Sequence, residues 1–392
     1  NKPAEVEAIE AFLFSQAEFR HNVITHHCEI RWTEEAGFLP LTDRDVNTLW
    51  GRMNKTVGRV YLTDIYNVIH SEFVPLFNPF QSYFDHLPSW DGVSDPIGDL
   101  ADTVHVKSDQ AEFRDYFRKW FVGILPALLD DTVVNHEILV LIGEQGLYKT
   151  TWFNFLLPPE LRCYFYTKTN SDRLNKDDLF SLTEFALICF EELDGMRPAE
   201  LNQLKAMVTM PYVNERAAYG RNKERHPHIA SFCGTGNNVQ FLTDPTGNRR
   251  WLPFEVSQIR DPHLHAIPYE LVYSQAYALW KSGFCHWFSQ EEIRKLNMHN
   301  SRFEVPNLEE DLIRTHFRKP FEGEAGIFVT AADILEQISS CLRYPLSPNK
   351  IGRIMAGLEF ESIRYKGKRG YITVKKTGED IDRERRSGAL GL

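Results

Sequence analysis

No stretch of the chain approaches the roughly 18 consecutive apolar residues that a membrane-spanning helix needs, so no membrane crossing is expected. The N-terminus, Asn1-Lys2-Pro3-Ala4-Glu5-Val6-Glu7, lacks the basic-then-apolar pattern of a secretory signal. An initiator Met is missing too, from which a fragment or a processed form is expected. Cysteine is sparse: six residues, at 28, 163, 189, 233, 285 and 341, with no C-x-x-C pair. That spacing argues against a zinc site and against a disulfide scaffold, and it points to a reducing cytoplasm. Excess positive charge is also absent. The net charge is −10, so nucleic acid can be met only through local basic patches. Internal repeats and low-complexity segments are lacking. What is present, 392 residues with 43% hydrophobic and 25% charged, excludes collagen-like and mainly disordered classes and predicts two or three domains.

Four regions are expected. Residues 1–92 read as a helical domain, with helical spacing in Ile9, Phe12 and Leu13 and again from Val60 to Ile69. Turn formers between Asn78 and Gly92 mark its end. Residues 93–288 alternate helices with short apolar strands, the α/β pattern. The strands expected are Ile138–Ile142, Phe185–Phe190, Ile229–Cys233 and Trp251–Val256. Residues 289–376 read as helix, helix and hairpin, and 377–392 as a disordered tail. His26-His27-Cys28 has no fourth ligand at useful spacing, so a surface or packing role is expected.

The chemistry gathers after the first of those strands. Gly143-Glu144-Gln145-Gly146-Leu147-Tyr148-Lys149-Thr150-Thr151 precedes a helix carrying Trp152, Phe153, Phe155 and Leu156. Strand, glycine-rich turn, Lys-Thr and helix are the context of a phosphate-binding loop. Glycines let backbone N–H groups converge on phosphate oxygens, Lys149 reaches the β- and γ-phosphates, and Thr150 ligates Mg²⁺. Tyr148 stands where the usual pattern has Gly, so its side chain either crowds the loop or forces an unusual backbone angle. The competing reading is a glycine-containing turn that happens to precede Lys-Thr.

Glu191 and Glu192 follow the strand ending at Phe190. A carboxylate there suits a metal, for which Glu191 is the candidate, and the activation of water, for which Glu192 is. The alternative is a solvated acidic turn. Asn237, with Asn238 second, ends the third strand and can bridge a terminal phosphate and the attacking water. Between these motifs lie Arg216, Arg221, Lys223 and Arg225 with an interleaved Tyr219. Such a loop suits contact with a nucleic-acid backbone, the alternatives being a solvated loop or arginines that serve the nucleotide. Arg249 and Arg250 precede the fourth strand. A guanidinium can stabilise the charge of a phosphoryl-transfer transition state, while the bland reading is a pair of surface cations.

From Trp90 to Phe254 the chain resembles the virulence-associated E family, P-loop ATPases of bacterial mobile elements and phages related to superfamily 3 helicases. The resemblance is carried by Gly143–Thr151, Leu204-Lys205-Ala206, Arg216–Arg221 and Phe241–Trp251. It implies an AAA+-like P-loop core, ATP with Mg²⁺, a homo-oligomeric ring expected to be hexameric, and movement along DNA. It further implies that an arginine of the 249–250 pair reaches the neighbouring subunit's ATP, Arg250 being ranked slightly ahead of Arg249. The block ending at Lys376 resembles a winged helix. Between Lys350 and Lys376 eight cations face two acids, and Lys366, Lys368 and Arg369 would form a DNA-contacting wing; a protein-docking winged helix is the alternative. No primase domain is apparent, so a separate primase or replication partner is expected. The leading expectation is an ATP-dependent DNA helicase or translocase of a mobile element. The alternative is a nucleotide-gated regulatory or defence protein with little ATP turnover.

Overall fold

The computed structural model describes residues 5–169, 176–215, 224–243, 248–305, 308–321, 323–339 and 348–381. The chain divides into two compact units, 1–304 and 305–392. The edges expected at 92/93 and 288/289 therefore both fall inside the first unit.

The first unit opens with α1 (Val6–Gln16), β1 (Ala17–Asn22), β2 (His27–Trp32), β3 (Leu39–Pro40), α2 (Asp43–Thr56), α3 (Leu62–Ile69), β4 (Leu76–Phe77) and α4 (Pro79–Asp85). The strands form one sheet in the order β3-β2-β1-β4. This corrects the expectation of a helical domain. The cause lies in two short strands whose inward residues alternate with charge: Ala17, Phe19 and Asn22 in β1, Cys28 and Ile30 in β2 are buried, while Glu18 faces solvent. Such a period-two signal is brief and mixes polar residues into the buried face. The helices pack over it through Leu13, Leu49, Met53 and Ile65.

The same unit continues with α5 (Pro96–Ala101), β5 (Val104–Val106), α6 (Gln110–Leu129), β6 (Ile138–Ile142), α7 (Lys149–Phe155), β7 (Phe165–Lys168), α8 (Lys176–Glu184), β8 (Leu187–Phe190), α9 (Pro198–Val208), β9 (Tyr212–Glu215), β10 (Glu224–Pro227), β11 (Ser231–Gly236), β12 (Trp251–Ile259), α10 (Tyr269–Lys281) and α11 (Gln290–Asn300). Six strands make a mixed sheet in the order β5-β12-β6-β11-β8-β7. Five of them, from β12 to β7, are parallel, and β5 is antiparallel to β12. Strand β6 reads Ile-Leu-Val-Leu-Ile and is buried throughout, as a central parallel strand covered on both faces must be. Leu139 and Leu141 meet Phe117, Trp120 and Phe121 of α6. Ile138, Val140 and Ile142 meet Leu201, Leu204 and Val208 of α9. Helix α11 belongs to this unit because its end is bonded to the sheet: Nε2 of His299 contacts the Pro253 carbonyl at 2.6 Å.

The second unit contains α12 (Leu308–His316), β13 (Phe317–Arg318), β14 (Ile327–Val329), α13 (Ala331–Ser339), α14 (Pro348–Gly357), β15 (Ser362–Tyr365) and β16 (Lys368–Lys375). Strand β16 pairs antiparallel with β13, β14 and β15. Ile313, Phe317, Ile334, Ile351 and Met355 fill its core. At the start of the expected disordered tail, residues 378–381 form a helical turn capped by the Thr377 hydroxyl, which accepts from the Asp380 N–H. Residues after 381 lie outside those described. Among the described residues no helix is long and apolar enough to cross a membrane.

Candidate functional site

Strand β11 lies between β6 and β8, with Gly236 opposite Ile142 and Gly234 opposite Phe190. The C-terminal ends of three adjacent parallel strands therefore deliver Gly143, Glu191 and Asn237 to one place, the crevice where α/β sheets gather ligands. The Gly143 N–H donates to the Gly236 carbonyl at 3.1 Å, which ties the first and third loops together. A Cβ on Gly143 would stand 2.9 Å from the Val256 carbonyl oxygen, so the neighbouring strand leaves room for glycine alone.

The loop from Gly143 turns into α7 through Gly146 at φ 89° and Tyr148 at φ 60°. Of the two consequences expected for Tyr148, the structure shows the unusual backbone angle. The tyrosine adopts the left-handed conformation that glycine takes without steric cost, at an expense of about 1–2 kcal/mol. The residue is 42% exposed and is among those that line the cavity at the loop. Helix α7 is seven residues long and held at both faces: Trp152 Nε1 donates to the Thr103 hydroxyl. The Tyr269 and Tyr273 hydroxyls donate to the carbonyls of Phe155 and Leu156.

Lys149 is 8% exposed. Its ammonium donates to the carbonyls of Gly143 at 2.6 Å and Glu144 at 2.7 Å. Burial lowers its pKa, with Asp194 acting in the opposite direction. The Thr150 hydroxyl donates to Glu191 Oε1 at 2.7 Å, joining residues 41 positions apart. Glu192 takes φ 55°, a second left-handed non-glycine residue beside the same crevice. A cavity of about 390 Å³ opens here, lined by the loop from Gln145 to Thr151 and by Glu191, Glu192, Thr235 and Asn237. The lining set, one ammonium, three threonine hydroxyls and two carboxylates, fits an anion accompanied by a divalent cation.

Asp194 was not among the expected site residues, yet it organises this edge. Its carboxylate accepts from the backbone N–H groups of Asn237 and Asn238, each at 3.1 Å, and from Nδ2 of Asn238 at 2.7 Å. Asn238 is thereby committed, and of the two asparagines Asn237 is the one that lines the cavity. The third acid of Glu-Glu-Leu-Asp was the available signal. A buried pair, Lys168 with Asp178 at 2.6 Å, sits at the end of β7 next to β8, where nothing in the sequence marks it.

Other expected residues lie elsewhere. Strands β9 and β10 form an antiparallel hairpin. Arg225 is exposed there and stacks 3.6 Å over the Tyr212 ring. Arg216, Arg221 and Lys223 lie outside the described residues. His226, buried at the hairpin's base, meets the His26 ring at 5.0 Å, the packing role expected for that histidine. Arg249 and Arg250 occupy a short turn, Asn248–Arg250, just before β12. Trp251 pairs with Ile138, so this turn stands at the opposite end of the sheet, roughly 17 Å from its own chain's loop at about 3.3 Å per residue. Arg249 is exposed and Arg250 half-buried. Burial lowers the pKa of Arg250, and Glu137 opposes that shift. In the second unit Lys366, Lys368 and Arg369 are exposed around the β15–β16 turn, where Arg369 Nε donates to the Ser362 hydroxyl at 2.8 Å. A larger cavity, about 1170 Å³, lies between the first sheet, α4 and α10. None of the expected site residues lines it.

Fold and site together define an α/β protein whose glycine loop, lysine and carboxylates share one crevice. Residues 85–305 match the virulence-associated protein E-like domain, more than half of the chain, which therefore belongs to that family. No match was found among the curated proteins. Similar solved structures include the apo structure of the NrS-1 C terminal region (305-718), at 12% identity and a TM-score of 0.48, covering 95% of this chain and 99% of that one. The A form apo structure of the same region has 13% identity and a TM-score of 0.47, with the same coverage. Likeness of this degree assigns neither fold nor activity.

Proposed function

We propose that the chain is an ATP-hydrolysing motor that assembles as a ring, hexameric by its family likeness, and moves along DNA during replication of a mobile element. The observation that carries this reading is the meeting of Lys149, Thr150 and Glu191 at the ends of neighbouring parallel strands, with the Thr150–Glu191 contact at 2.7 Å. ATP binding exchanges the two carbonyl partners of Lys149 for phosphate oxygens, so a nearly buried ammonium stays satisfied in both states. Thr150 and Glu191 would hold Mg²⁺, which would supply neutralisation of the charge that develops on the phosphates. Glu192 orients or deprotonates the attacking water, and Asn237 holds that water against the terminal phosphate. Arg249 and Arg250, remote from their own chain's loop, act on the neighbouring subunit's nucleotide. The exposed Arg249 is the better-placed of the two.

DNA meets the β9–β10 hairpin, with Arg225 at its base, and the basic turn of the second unit. That unit's order of helix, two short strands, two helices and hairpin supports a winged helix. A second reading, nucleotide-gated regulation with little turnover, draws on Tyr148, whose side chain occupies a glycine-like conformation. Two measurements separate the readings: ATP hydrolysis with and without single-stranded DNA, and particle mass with ATP and Mg²⁺. Stimulated hydrolysis by a ring supports the motor. Binding without hydrolysis, by a particle that does not enlarge, supports the gate and overturns the motor.

A further inference from the structure

The turn that carries the two arginines is held by an unusual amount of buried polar structure. Asn300, the last residue of α11, is 0% exposed. Its Nδ2 donates to the carbonyls of Asn248 at 2.8 Å and Trp251 at 3.0 Å. Those carbonyls bracket Arg249 and Arg250, so one side-chain amide closes the backbone around them. Asn248 is 2% exposed, and its Nδ2 donates to Glu304 Oε1 at 2.8 Å. The helix that presents Asn300 is itself fixed. His299 touches the Pro253 carbonyl with Nε2 and Glu112 Oε2 with Nδ1, the latter at 2.9 Å. From the other side, the N–H groups of Phe241 and Leu242 donate to the Phe303 carbonyl at 2.9 and 3.0 Å.

Packing alone does not call for this arrangement. Trp251 is already fully buried and stacks edge-on with Phe241, so the start of β12 is anchored without the amides. Desolvating two asparagine side chains costs free energy that the bonds from Nδ2 offset only in part, since the buried Oδ1 of each finds no partner among the described residues. What the amides add is a single backbone conformation through Asn248–Trp251, which leaves Arg249 outward and Arg250 half-buried.

We propose that Asn300 is a positioning residue for catalysis between subunits, fixing the Arg249–Arg250 turn against the neighbouring subunit's nucleotide. Asn248 and Glu304 complete the clamp. The inference rests on the motor reading above and adds to it a residue that touches neither nucleotide nor DNA.

The test is Asn300→Asp, which keeps the shape and removes both donated bonds. A guanidinium contribution of about 10³–10⁵ in rate falls steeply when the group moves by about 1 Å, so kcat should drop roughly 10–100-fold. KM for ATP and nucleotide binding should stay within about twofold, because the chain's own loop is untouched. Mixing Asn300→Asp protein with Lys149→Ala protein should restore part of the activity, since some interfaces then join an intact loop to a correctly held turn. Glu304→Ala removes only the half-buried acceptor of Asn248 and gives a milder loss of the same kind; it carries the test if Asn300→Asp fails to fold. Wild-type kcat in a folded clamp variant overturns the inference, as does a loss that mixing does not restore in particles shown to be mixed. Arg249→Ala and Arg250→Ala run alongside. If either arginine variant loses turnover and is complemented while Asn300→Asp is fully active, only the clamp role fails. If both arginine variants keep full turnover, the motor reading of this turn fails and the inference with it.

Discussion

Replacing Tyr148 by Gly separates backbone strain from side-chain function at the most unusual position of the loop. Tyr148 sits at φ 60° and ψ 18°, which costs a non-glycine residue about 1–2 kcal/mol. Glycine relieves that cost but adds freedom to the unfolded chain, a penalty of about 0.5–1 kcal/mol. Tyr148 as a residue is 42% exposed, so its ring has limited burial to lose. The balance is a folded state between unchanged and about 1.5 kcal/mol more stable, seen as a melting midpoint raised by at most about 3 °C. Tyr148→Ala keeps the left-handed residue and loses only the ring, so it gains none of that relief. Thermal melting of the three proteins, paired with ATP hydrolysis, reads both effects. A midpoint for Tyr148→Gly several degrees below wild type would refute the strain argument, because the ring would then be doing structural work that its exposure denies. Hydrolysis retained in both variants fits a loop whose phosphate contacts come from backbone and Lys149.

Three further outcomes are expected. Glu192→Gln should bind ATP but hydrolyse it slowly and accumulate the assembled particle, as native mass measurement would show; normal kcat would move the water-activating role to Glu191. Removing charge at Arg221, Lys223 and Arg225 together should weaken single-stranded DNA binding and flatten its dependence on salt, whereas an unchanged slope would remove that hairpin from the DNA surface. Burial pushes the Glu137 carboxyl up to about 7. An acid raised in the folded state loses stability as pH climbs from its unfolded value near 4.5 to about 7. Buried His228, lowered to about 4, contributes the opposite slope below its ordinary value. The difference in melting between Glu137→Gln and wild type isolates the acid: it should be small near pH 4.5 and favour the variant by pH 8. A difference that does not change with pH would contradict the placement of Glu137.

The loop and acidic part of the candidate site was legible because its signals are local. Five consecutive apolar residues announce β6, and glycines followed by Lys149 and Thr150 announce the turn into α7. An apolar run ending in Glu191 and Glu192 announces β8. The strand order that joins them, with β11 inserted between β6 and β8, depends on pairing across about a hundred residues and leaves no local mark. The first sheet was missed because β1 and β2 are short and place Asn22 and Cys28 on the buried face, which blurs the alternation that reveals a strand. The role of Asn300 was hidden for another reason. It lies at the end of an ordinary polar helix, and its partners are backbone carbonyls about 50 residues away, which no motif records.

The most direct test of the central claim is ATP hydrolysis by the purified chain in the presence of single-stranded DNA, compared with Lys149→Ala. Lys149 is the cation that the structure holds at the mouth of the glycine loop, with 2.6 and 2.7 Å contacts to loop carbonyls that a phosphate would replace. The account predicts DNA-stimulated turnover in the wild-type protein and its loss in the variant, which should still fold. Equal turnover in the two proteins would contradict it.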